Sequence, residues 1–200
     1  MNDLQKVIDP ADNVGHKNRY INVLQHIALK DVLGDTKGKN VLDAGCGIER
    51  FRDLFDRYTG IDIDDNMDPN VMCSCDDTPF EDATFDIVLS VWMLQYQKDL
   101  PKFVRELKRV LKPGGSIYMI EQISDGYGSV YPRRLMDYCS VFRSDLEYKP
   151  ILKSGDILVG IIKRGVVPER LFPILARMHL MVVKYTRKGE YTDYLMRYTK

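Results

Sequence analysis

The chain has 200 residues, 44% of them apolar, and equal numbers of Lys+Arg and Asp+Glu, 29 each. This length suits one well-buried domain, and the balanced charge, with no extended basic run interleaved with aromatics, argues against nucleic acid as the main partner. No stretch approaches the about 18 uninterrupted apolar residues of a membrane span, and the N-terminal stretch lacks the apolar core of a signal peptide, so we expect a cytoplasmic protein without a transmembrane segment.

Helix and strand signals alternate from residue 17 to 123. Apolar residues at helical spacing predict a leading helix over 17–33. The next segments predict, in order, a strand at "NVLDAG", a helix at "RFRDLFDRY", a strand at "YTGIDID", a strand at "NVMCSC" and a strand at "FDIVLSVWM". An apolar stripe from Leu100 to Leu111 predicts a helix closed by "KPGG", and "SIYMIEQI" predicts the fifth strand. This alternation indicates an α/β domain with a mainly parallel sheet.

The pattern changes after residue 123. Residues 133–142 predict a helix, "LEYKPIL" a strand and the final "EYTDYLMRYTK" another strand. Residues 156–185 are mostly helical in pattern and rich in Leu, Ile, Val and Met, and two helices broken near "RGVVPE" fit them. We therefore expect a single domain over residues 1–200, with a cofactor-binding core at 17–123 and a variable, substrate-facing region at 133–190 that contains the helical insertion.

The turn after the first strand, "DAGCGIER", is the first candidate for a ligand site. Gly45 and Gly47 let the backbone bend and approach a ligand closely, although ordinary α/β turns also use glycine. Asp62, at the tip of the second strand, can accept hydrogen bonds from both hydroxyls of a ribose, although "DIDDN" is also typical of a solvated turn. Together the glycines and the distal acid indicate an adenosine-type ligand.

The same turn argues against a dinucleotide. Dinucleotide-binding loops follow G-x-G-x-x-G and place a pyrophosphate against a helix N-terminus. Here Gly45 and Gly47 are followed by Ile48, Glu49 and Arg50, so the third glycine is missing. Glu49 also adds negative charge where the pyrophosphate belongs. It can meet an amino group of the ligand or turn outward, and the sequence leaves this choice open.

Four ordered stretches make a family resemblance specific. "VLDAGCG", "TGIDIDDNM", "TPFEDATFDIVLS" and "LKRVLKPGGSIYMIE" resemble the successive motifs of class I S-adenosylmethionine-dependent methyltransferases of the small-molecule type, over residues 40–123. The resemblance implies a Rossmann-like sheet of seven strands, mostly parallel with the last antiparallel, and helices on both faces. It also implies S-adenosyl-L-methionine as the cofactor.

The resemblance assigns cofactor-binding roles to individual residues. The methionine part falls to the glycine turn, the ribose to Asp62, the adenine ring to Ile63, and the adenine amino group to Asp76 or Asp77. Ser90 to Trp92 are expected beneath the sulfonium. The full cofactor-binding set is Asp43, Gly45, Cys46, Gly47, Asp62, Ile63, Asp76, Asp77 and Ser90. Glu49, in place of the third small residue of the family's loop, is a departure from this pattern.

Catalysis of methyl transfer needs placement more than acid–base chemistry, because the sulfonium already carries a good leaving group. A base is needed only when the acceptor must lose a proton. The candidates are His16, placed just before the leading helix, and Tyr96, at the end of the fourth strand. Each also has a simpler interpretation: His16 as a polar loop residue, and Tyr96 as a ring packed over the cofactor. His26 and His179 fall within helical patterns and are interpreted as structural.

The four cysteines predict no metal site. Cys73 and Cys75 form a C-x-C, but no second ligand pair with zinc spacing follows. Small strand residues are the simpler interpretation of this pair. A core of this size does not need disulfides either, which fits the cytoplasmic expectation.

The apolar insertion at 156–185 has two interpretations. It is a helical pair packed on the sheet or over the site as a lid, or it is a homodimer face or a contact for an apolar acceptor. The expected reaction is methyl transfer to a small-molecule substrate, for which a sugar or other cell-surface precursor is one candidate. The alternative function is a non-catalytic relative that keeps the fold and acts as a binding or regulatory partner, and Glu49 is the feature that favours it.

Overall fold

The computed structural model describes residues 16–123, 131, 133–153, 157–165, 167–183 and 191–200. Its α-helices are α1 (His16–Leu33), α2 (Leu100–Val110), α3 (Leu135–Phe142), α4 (Ile157–Lys163) and α5 (Phe172–Val182). Its strands are β1 (Asn40–Ala44), β2 (Arg57–Asp62), β3 (Val71–Met72), β4 (Phe85–Val91), β5 (Leu111–Gln122), β6 (Leu146–Lys153) and β7 (Tyr191–Thr199).

The seven strands form one sheet in the order β3-β2-β1-β4-β5-β7-β6. β1 runs parallel to both β2 and β4, so that Val41 pairs with Tyr58 on one side and with Ile87 on the other. β3 and β5 extend the parallel part, and β7 enters the sheet antiparallel. The predicted fold class is confirmed. Because the chain builds outward from β1 in both directions, the topological switch point lies between β1 and β4.

Helix α2 forms because its apolar residues fall on one face and its first turn is capped. Leu100, Phe103, Val104, Leu107 and Val110 are buried along that face. The Asp99 side chain accepts a hydrogen bond from the backbone N–H of Lys102 (2.9 Å), which satisfies one of the free donors of the first turn. The clearest helix of the sequence is therefore confirmed.

The end of α2 differs from the prediction. The helix stops at Val110, and Leu111 with the "KPGG" segment belongs to β5. The backbone turns to an extended conformation at Leu111, which pairs with Phe85, and the register shifts before Ile87. A Cβ added at Gly115 would lie 2.9 Å from the backbone oxygen of Asp86. Glycine thus lets the strand pass close to its neighbour where the sequence suggested a helix stop.

Two other predicted elements are shorter than expected. The helix predicted at "RFRDLFDRY" is a single 3-10 turn, Arg52–Leu54. Strand β2 begins at Arg57, inside the predicted helix, so the chain between Arg50 and Asp56 is too short for a stable α-helix. The third strand is reduced to Val71–Met72 because the chain enters a tight turn between Ser74 and Asp77.

Contacts divide the chain into two compact units. We call residues 35–149 and 194–200 the sheet unit, and residues 1–34 and 150–193 the helical unit. The prediction of one domain stays a prediction. Within the described part of the chain, no helix has both the length and the apolar character required to cross a membrane.

The helical unit packs α1 against α4 and α5. The Tyr20 ring meets the Phe172 ring edge-on at 5.4 Å between centroids, and the Tyr20 hydroxyl lies 3.3 Å from Nδ1 of His179. His26 and His179 are both buried in helices, as expected of structural histidines. The predicted break of the insertion into two helices is confirmed, since a 3-10 turn at Glu169–Leu171 precedes α5.

Candidate cofactor site

The turn after β1 is held against the end of β2. The backbone N–H groups of Gly45 and Cys46 both donate to the carbonyl oxygen of Ile61 (2.9 Å each). The N–H of Gly47 donates to Oδ2 of Asp62 (3.0 Å), and Oδ1 of Asp62 accepts from the N–H of Asp64 (3.1 Å). The structure thus brings together the glycine turn and the distal acid that the sequence singled out separately.

Both glycines of the turn have left-handed backbones, with φ of 78° at Gly45 and 49° at Gly47. A Cβ at Gly45 would lie 2.5 Å from Sδ of Met93, which belongs to the loop after β4. A Cβ at Gly47 would meet nothing within 4 Å. Gly45 is therefore required by packing as well as conformation, while Gly47 faces open space in which a ligand can approach the backbone.

Asp43 is buried at the end of β1, only 2% exposed. Its Oδ2 accepts a hydrogen bond from the Tyr58 hydroxyl (2.8 Å). Burial raises the pKa of the Asp43 carboxyl to about 6, although the Tyr58 hydrogen bond and the nearby Arg50 charge oppose the shift. Asp43 is thus a desolvated carboxylate beneath the turn, where it acts through the turn's shape and electrostatics.

Glu49 turns inward. Its Oε1 is buried and has no hydrogen-bond partner among the described residues. A Cβ added at Gly60 would lie 3.0 Å from this oxygen, so the carboxylate lies over β2. The negative charge of Glu49 also raises the pKa of Asp43. Its φ of 52° explains why a glycine is favoured at this point of such a loop.

Arg50 brings a positive charge close to the turn. Its guanidinium lies 5.4 Å from the centroid of the Phe51 ring and 5.8 Å from that of Trp92, both within cation–π range. Its charge lowers the pKa of Asp43. Arg50 therefore offsets part of the negative charge that Asp43, Glu49 and Asp62 gather around the turn.

The residues expected around the adenine differ in their surroundings. Ile63 is 72% exposed beside the tip of β2 and is free to cover an apolar ring. Asp76 accepts hydrogen bonds from the Ser74 hydroxyl (2.7 Å) and from Nζ of Lys102 (3.0 Å), which lower its pKa. Asp77 has its backbone N–H bonded to the Ser74 oxygen (3.3 Å). Asp76 is thus engaged in an ion pair, whereas Asp77 is exposed, and a role of either acid near the adenine stays a prediction.

The segment that carries these two acids is tied to α2 through Glu106. Oε1 of Glu106 accepts from both the N–H and the hydroxyl of Thr78 (2.9 and 2.6 Å) and from Nη2 of Arg109 (2.7 Å). These charge-assisted bonds, Arg109 foremost, lower the pKa of Glu106 to about 2. The loop after β3 is thereby fixed by a residue on a neighbouring helix.

The loop after β4 contains a second unusual backbone. Trp92 has a φ of 56°, which is a rare conformation for a bulky side chain and occurs mostly at functional positions. The buried carboxylate of Glu121 accepts from the N–H groups of Met93 and Leu94 (2.9 and 3.0 Å). Ser90 is fully buried, and its Oγ has no hydrogen-bond partner within the described residues. Glu121 thus fixes the loop that faces the glycine turn through Met93.

The two candidate bases lie in different elements. His16 is part of α1 and not of a loop before it, so its predicted placement was wrong. The helix extends at least one residue further towards the N-terminus than its apolar spacing indicates, because the first turn of a helix needs no buried side chain. Tyr96 ends a 3-10 turn after β4 and is 52% exposed, so its hydroxyl reaches solvent.

The cysteines show no sign of ligand chemistry. Burial raises the pKa of the Cys46 thiol to about 12, and it also raises the pKa values of Cys73 and Cys75. Protonated thiols are poor metal ligands and nucleophiles. Among the described residues, no cluster of three or more His, Cys, Asp or Glu side chains could hold a metal ion. Cys46 therefore contributes backbone and packing to the turn.

Sequence reasoning missed several residues that organise the site. They are Tyr58, which binds Asp43, Lys102, which pairs with Asp76, and Glu121, which holds the loop after β4. Glu121 had a usable signal, because it is an acid inside the apolar run "IYMIEQI". The partners of Asp43 and Asp76 had none, since each contact joins separate elements.

The fold and the turn after β1 together indicate the class of protein. A parallel sheet with a switch point at β1, a glycine turn and an acid at the tip of β2 is a Rossmann-like nucleoside site. A family model described as "Methyltransferase domain" matches residues 42–119. This part of the chain is therefore similar to S-adenosylmethionine-dependent methyltransferases of the class I type.

Curated relatives point the same way. Tocopherol O-methyltransferase of Arabidopsis thaliana is 28% identical, over 78% of this chain and 54% of the relative. A sterol 4-C-methyltransferase of Caenorhabditis elegans is 30% identical, over 49% of this chain and 35% of the relative. The chain therefore spans about half, or less, of the length of these two relatives.

Solved structures support the fold. The geranyl diphosphate C-methyltransferase from Streptomyces coelicolor A3(2) superposes with a TM-score of 0.64 at 18% identity, covering 98% of this chain and 85% of that one. A methyltransferase from Archaeoglobus fulgidus gives a TM-score of 0.64 at 15% identity, covering 88% and 93%. At these identities the likeness shows the fold alone.

Proposed function

We propose that this protein transfers the methyl group of S-adenosyl-L-methionine to a small, apolar acceptor. The observation that carries the proposal is a hydrogen bond between the glycine turn and the end of β2. The Gly47 N–H donates to Oδ2 of Asp62 at 3.0 Å. This contact places a carboxylate and an open glycine backbone side by side at the carboxyl ends of β1 and β2. A nucleoside with an amino-acid tail fits such a pair.

The described residues fit this cofactor. Each oxygen of Asp62 accepts one backbone N–H and keeps a lone pair for a ribose hydroxyl. The exposed Ile63 can cover the adenine, and the space in front of Gly47 can admit the methionine part. The bound cofactor would supply an electrophilic methyl group on a positive sulfur. The protein's own task is to hold the acceptor in line, about 3–3.5 Å from that carbon.

The loop after β4 supports the placement of the reacting end. Glu121 fixes the backbone N–H groups of Met93 and Leu94, and Met93 contacts the site of Gly45. The Ser90 hydroxyl is buried near the end of β4 and has no hydrogen-bond partner in the described part of the chain. A hydrogen-bonding group of the ligand would satisfy it, because buried hydroxyls without a partner are rare. Tyr96, half exposed beyond this loop, remains the candidate base for an acceptor that must lose a proton.

The acceptor is inferred from relatives. Their names include a tocopherol, a sterol and a demethylmenaquinone methyltransferase, all with largely apolar substrates. These names favour an apolar acceptor over the sugar or cell-surface precursor that the sequence also allows. Cytoplasmic location and the absence of nucleic acid as a partner stay predictions.

Transfer of a labelled methyl group tests the proposal. The protein is incubated with methyl-tritiated S-adenosylmethionine and, separately, a quinol, a tocopherol, a sterol and a nucleotide sugar. We expect label in an apolar product with intact protein, a loss of about a hundredfold with Asp62→Ala, and full activity with Asp64→Ala. Asp64 is the matched control because it caps the N–H of Asn66 (3.1 Å) as Asp62 caps that of Asp64. Label in the nucleotide sugar alone would contradict the apolar assignment.

The alternative is a relative that binds the nucleoside without transferring a methyl group. Glu49 favours it, because its buried carboxylate joins Asp43 and Asp62 around the turn and repels the carboxylate of the methionine. Binding of S-adenosylhomocysteine with no labelled product from any acceptor would support this alternative. Glu49→Gly would then strengthen binding, since it removes both the charge and the left-handed strain.

A further inference from the structure

The two faces of helix α5 differ in exposure but not in polarity. Its buried face consists of Phe172, Ala176, His179 and the following Val183. The opposite face carries Ile174, Met178 and Met181, at spacings of four and three residues, and these side chains are 59%, 53% and 62% exposed. A helix that is apolar on both faces is normally enclosed by protein or lipid. The outer stripe therefore lacks the environment that its residues favour.

Further large apolar side chains of the helical unit are exposed as well. Leu171 and Val182, at the two ends of α5, and Ile161, on α4, are also exposed. Six exposed large apolar side chains on α4, α5 and the residue before α5 exceed the scattered exposure of an ordinary surface. We call these six residues, Ile161, Leu171, Ile174, Met178, Met181 and Val182, the apolar stripe.

The segment that carries the stripe has a one-sided charge. Residues 157–183 contain four basic residues and one acidic residue, in a chain whose overall net charge is zero. Arg164 and Arg170 are exposed, and Arg177 is exposed as well, 3.9 Å from Asp31 at the outer limit of an ion pair. On the helical wheel Arg177 lies beside Ile174 and Met181. Apolar side chains flanked by arginines fit a surface that is itself apolar and anionic.

We propose that the apolar stripe and its flanking arginines bind the surface of an anionic lipid bilayer. The helices lie flat, the Met, Ile and Leu side chains enter the boundary between headgroups and acyl chains, and Arg164, Arg170 and Arg177 contact lipid phosphates. The flexible thioethers of Met178 and Met181 suit an irregular lipid surface. This function goes beyond methyl transfer and does not depend on it.

A second copy of the chain fits the same surface less well. In a two-fold dimer the same patch meets itself, so the arginines of both copies would be brought together with a single acidic residue, Glu169, in each segment. Like charges placed together across an interface are unfavourable. Charge complementarity therefore favours the bilayer, and the dimer becomes an outcome of the test.

Co-sedimentation of the full chain with vesicles tests the proposal. One vesicle set is phosphatidylcholine alone, and the other is equal parts phosphatidylcholine and phosphatidylglycerol. We expect binding to the mixed vesicles and a much weaker association with phosphatidylcholine. Met178→Asp and Met181→Asp should each lower the partition coefficient about tenfold or more. Met136→Asp is the matched control, because Met136 is 74% exposed on α3 of the sheet unit, and it should leave binding unchanged.

The contribution of charge is measured in the same assay. Arg170→Gln should lower partition to the mixed vesicles about fivefold, and Arg57→Gln, an exposed arginine of the sheet unit, should not. Met181→Gln repeats the stripe test with a neutral side chain if the aspartate variant fails to fold. Absence of binding to either vesicle set would overturn the proposal. Equal loss with Met136→Asp, or a dimer in light scattering that Met181→Asp dissociates, would also overturn it.

Discussion

The glycine turn of the sheet unit and helix α5 of the helical unit break the usual rule of burial in opposite ways. At the turn, polar groups are buried: Asp43 is 2% exposed and Ser90 is fully enclosed. On α5, apolar groups are exposed, as at Met181. Buried Asp43 has a compensating partner in Tyr58, whereas the side chains of the apolar stripe are exposed. Both departures lower stability, and such places are where function is expected.

Mutations on the two faces of α5 should have different effects on the free energy of unfolding, and the buried face should give the largest effect. Phe172→Ala should lower the free energy of unfolding by about 4 kcal/mol, because it leaves a cavity against Tyr20. Ile174→Ala, on the exposed face of the same helix, should change it by less than about 0.5 kcal/mol. Chemical denaturation of both variants measures the difference. Similar losses for the two variants would mean that the outer face of α5 is packed against other residues and not exposed.

At the glycine turn, the pH dependence of stability tests whether the Asp43 carboxyl is desolvated. Burial raises its pKa from 3.8 to about 6, so the folded protein holds this proton more tightly than the unfolded chain. The unfolding free energy therefore falls as the pH rises from about 3.8 through 6. Asp43→Asn removes this loss and can still accept from Tyr58, so the variant should be about 3 kcal/mol more stable at pH 8 and equal to the wild type near pH 3.

The control for this pH dependence is Asp56→Asn, an exposed acid of the sheet unit. It should follow the wild type at every pH, within about 0.5 kcal/mol. Denaturation curves across the pH range provide the measurement. If the stability difference between Asp43→Asn and the wild type does not change with pH, the carboxyl is not desolvated as described.

The packing of the turn gives the smallest of the three effects on stability. Gly45→Ala adds a Cβ 2.5 Å from Sδ of Met93 to a backbone with φ of 78°, and should destabilise the protein by about 2 kcal/mol. Gly38→Ala adds a Cβ at a φ of 70° with nothing within 4 Å, and should cost about 1 kcal/mol from backbone strain alone. Equal losses in thermal denaturation would show that Met93 does not constrain the turn.

The sequence predicted what depends on local patterns. The strands at Asn40–Ala44 and Phe85–Val91, the helix at Leu100–Val110 and the break in the insertion were all confirmed, because each has a continuous apolar signal. The acid at Asp62 and the turn at Gly47 could be chosen as a pair because strand ends meet at one sheet edge.

The rest depended on contacts between distant residues. The helix expected at "RFRDLFDRY" was wrong because β2 begins at Arg57, inside that segment, and pairs with β1, a contact that no periodicity reveals. The ion pair of Asp76 with Lys102 on α2 joins residues far apart in the sequence. The inward direction of Glu49 became visible only with its buried Oε1 beside Gly60. Tertiary structure decides such features, and the apolar spacing of the chain does not encode them.

Calorimetric titration with S-adenosylmethionine and S-adenosylhomocysteine tests the central claim, that the edge of β1 and β2 is an adenosyl site. The intact protein and Asp64→Ala should bind both ligands with one site per chain. Asp62→Ala should bind at least a hundredfold more weakly, since it would lose the hydrogen bonds expected with the ribose hydroxyls as well as the bond to the Gly47 N–H. No heat of binding with the intact protein, or equal affinity of the Asp62 variant, would contradict the account.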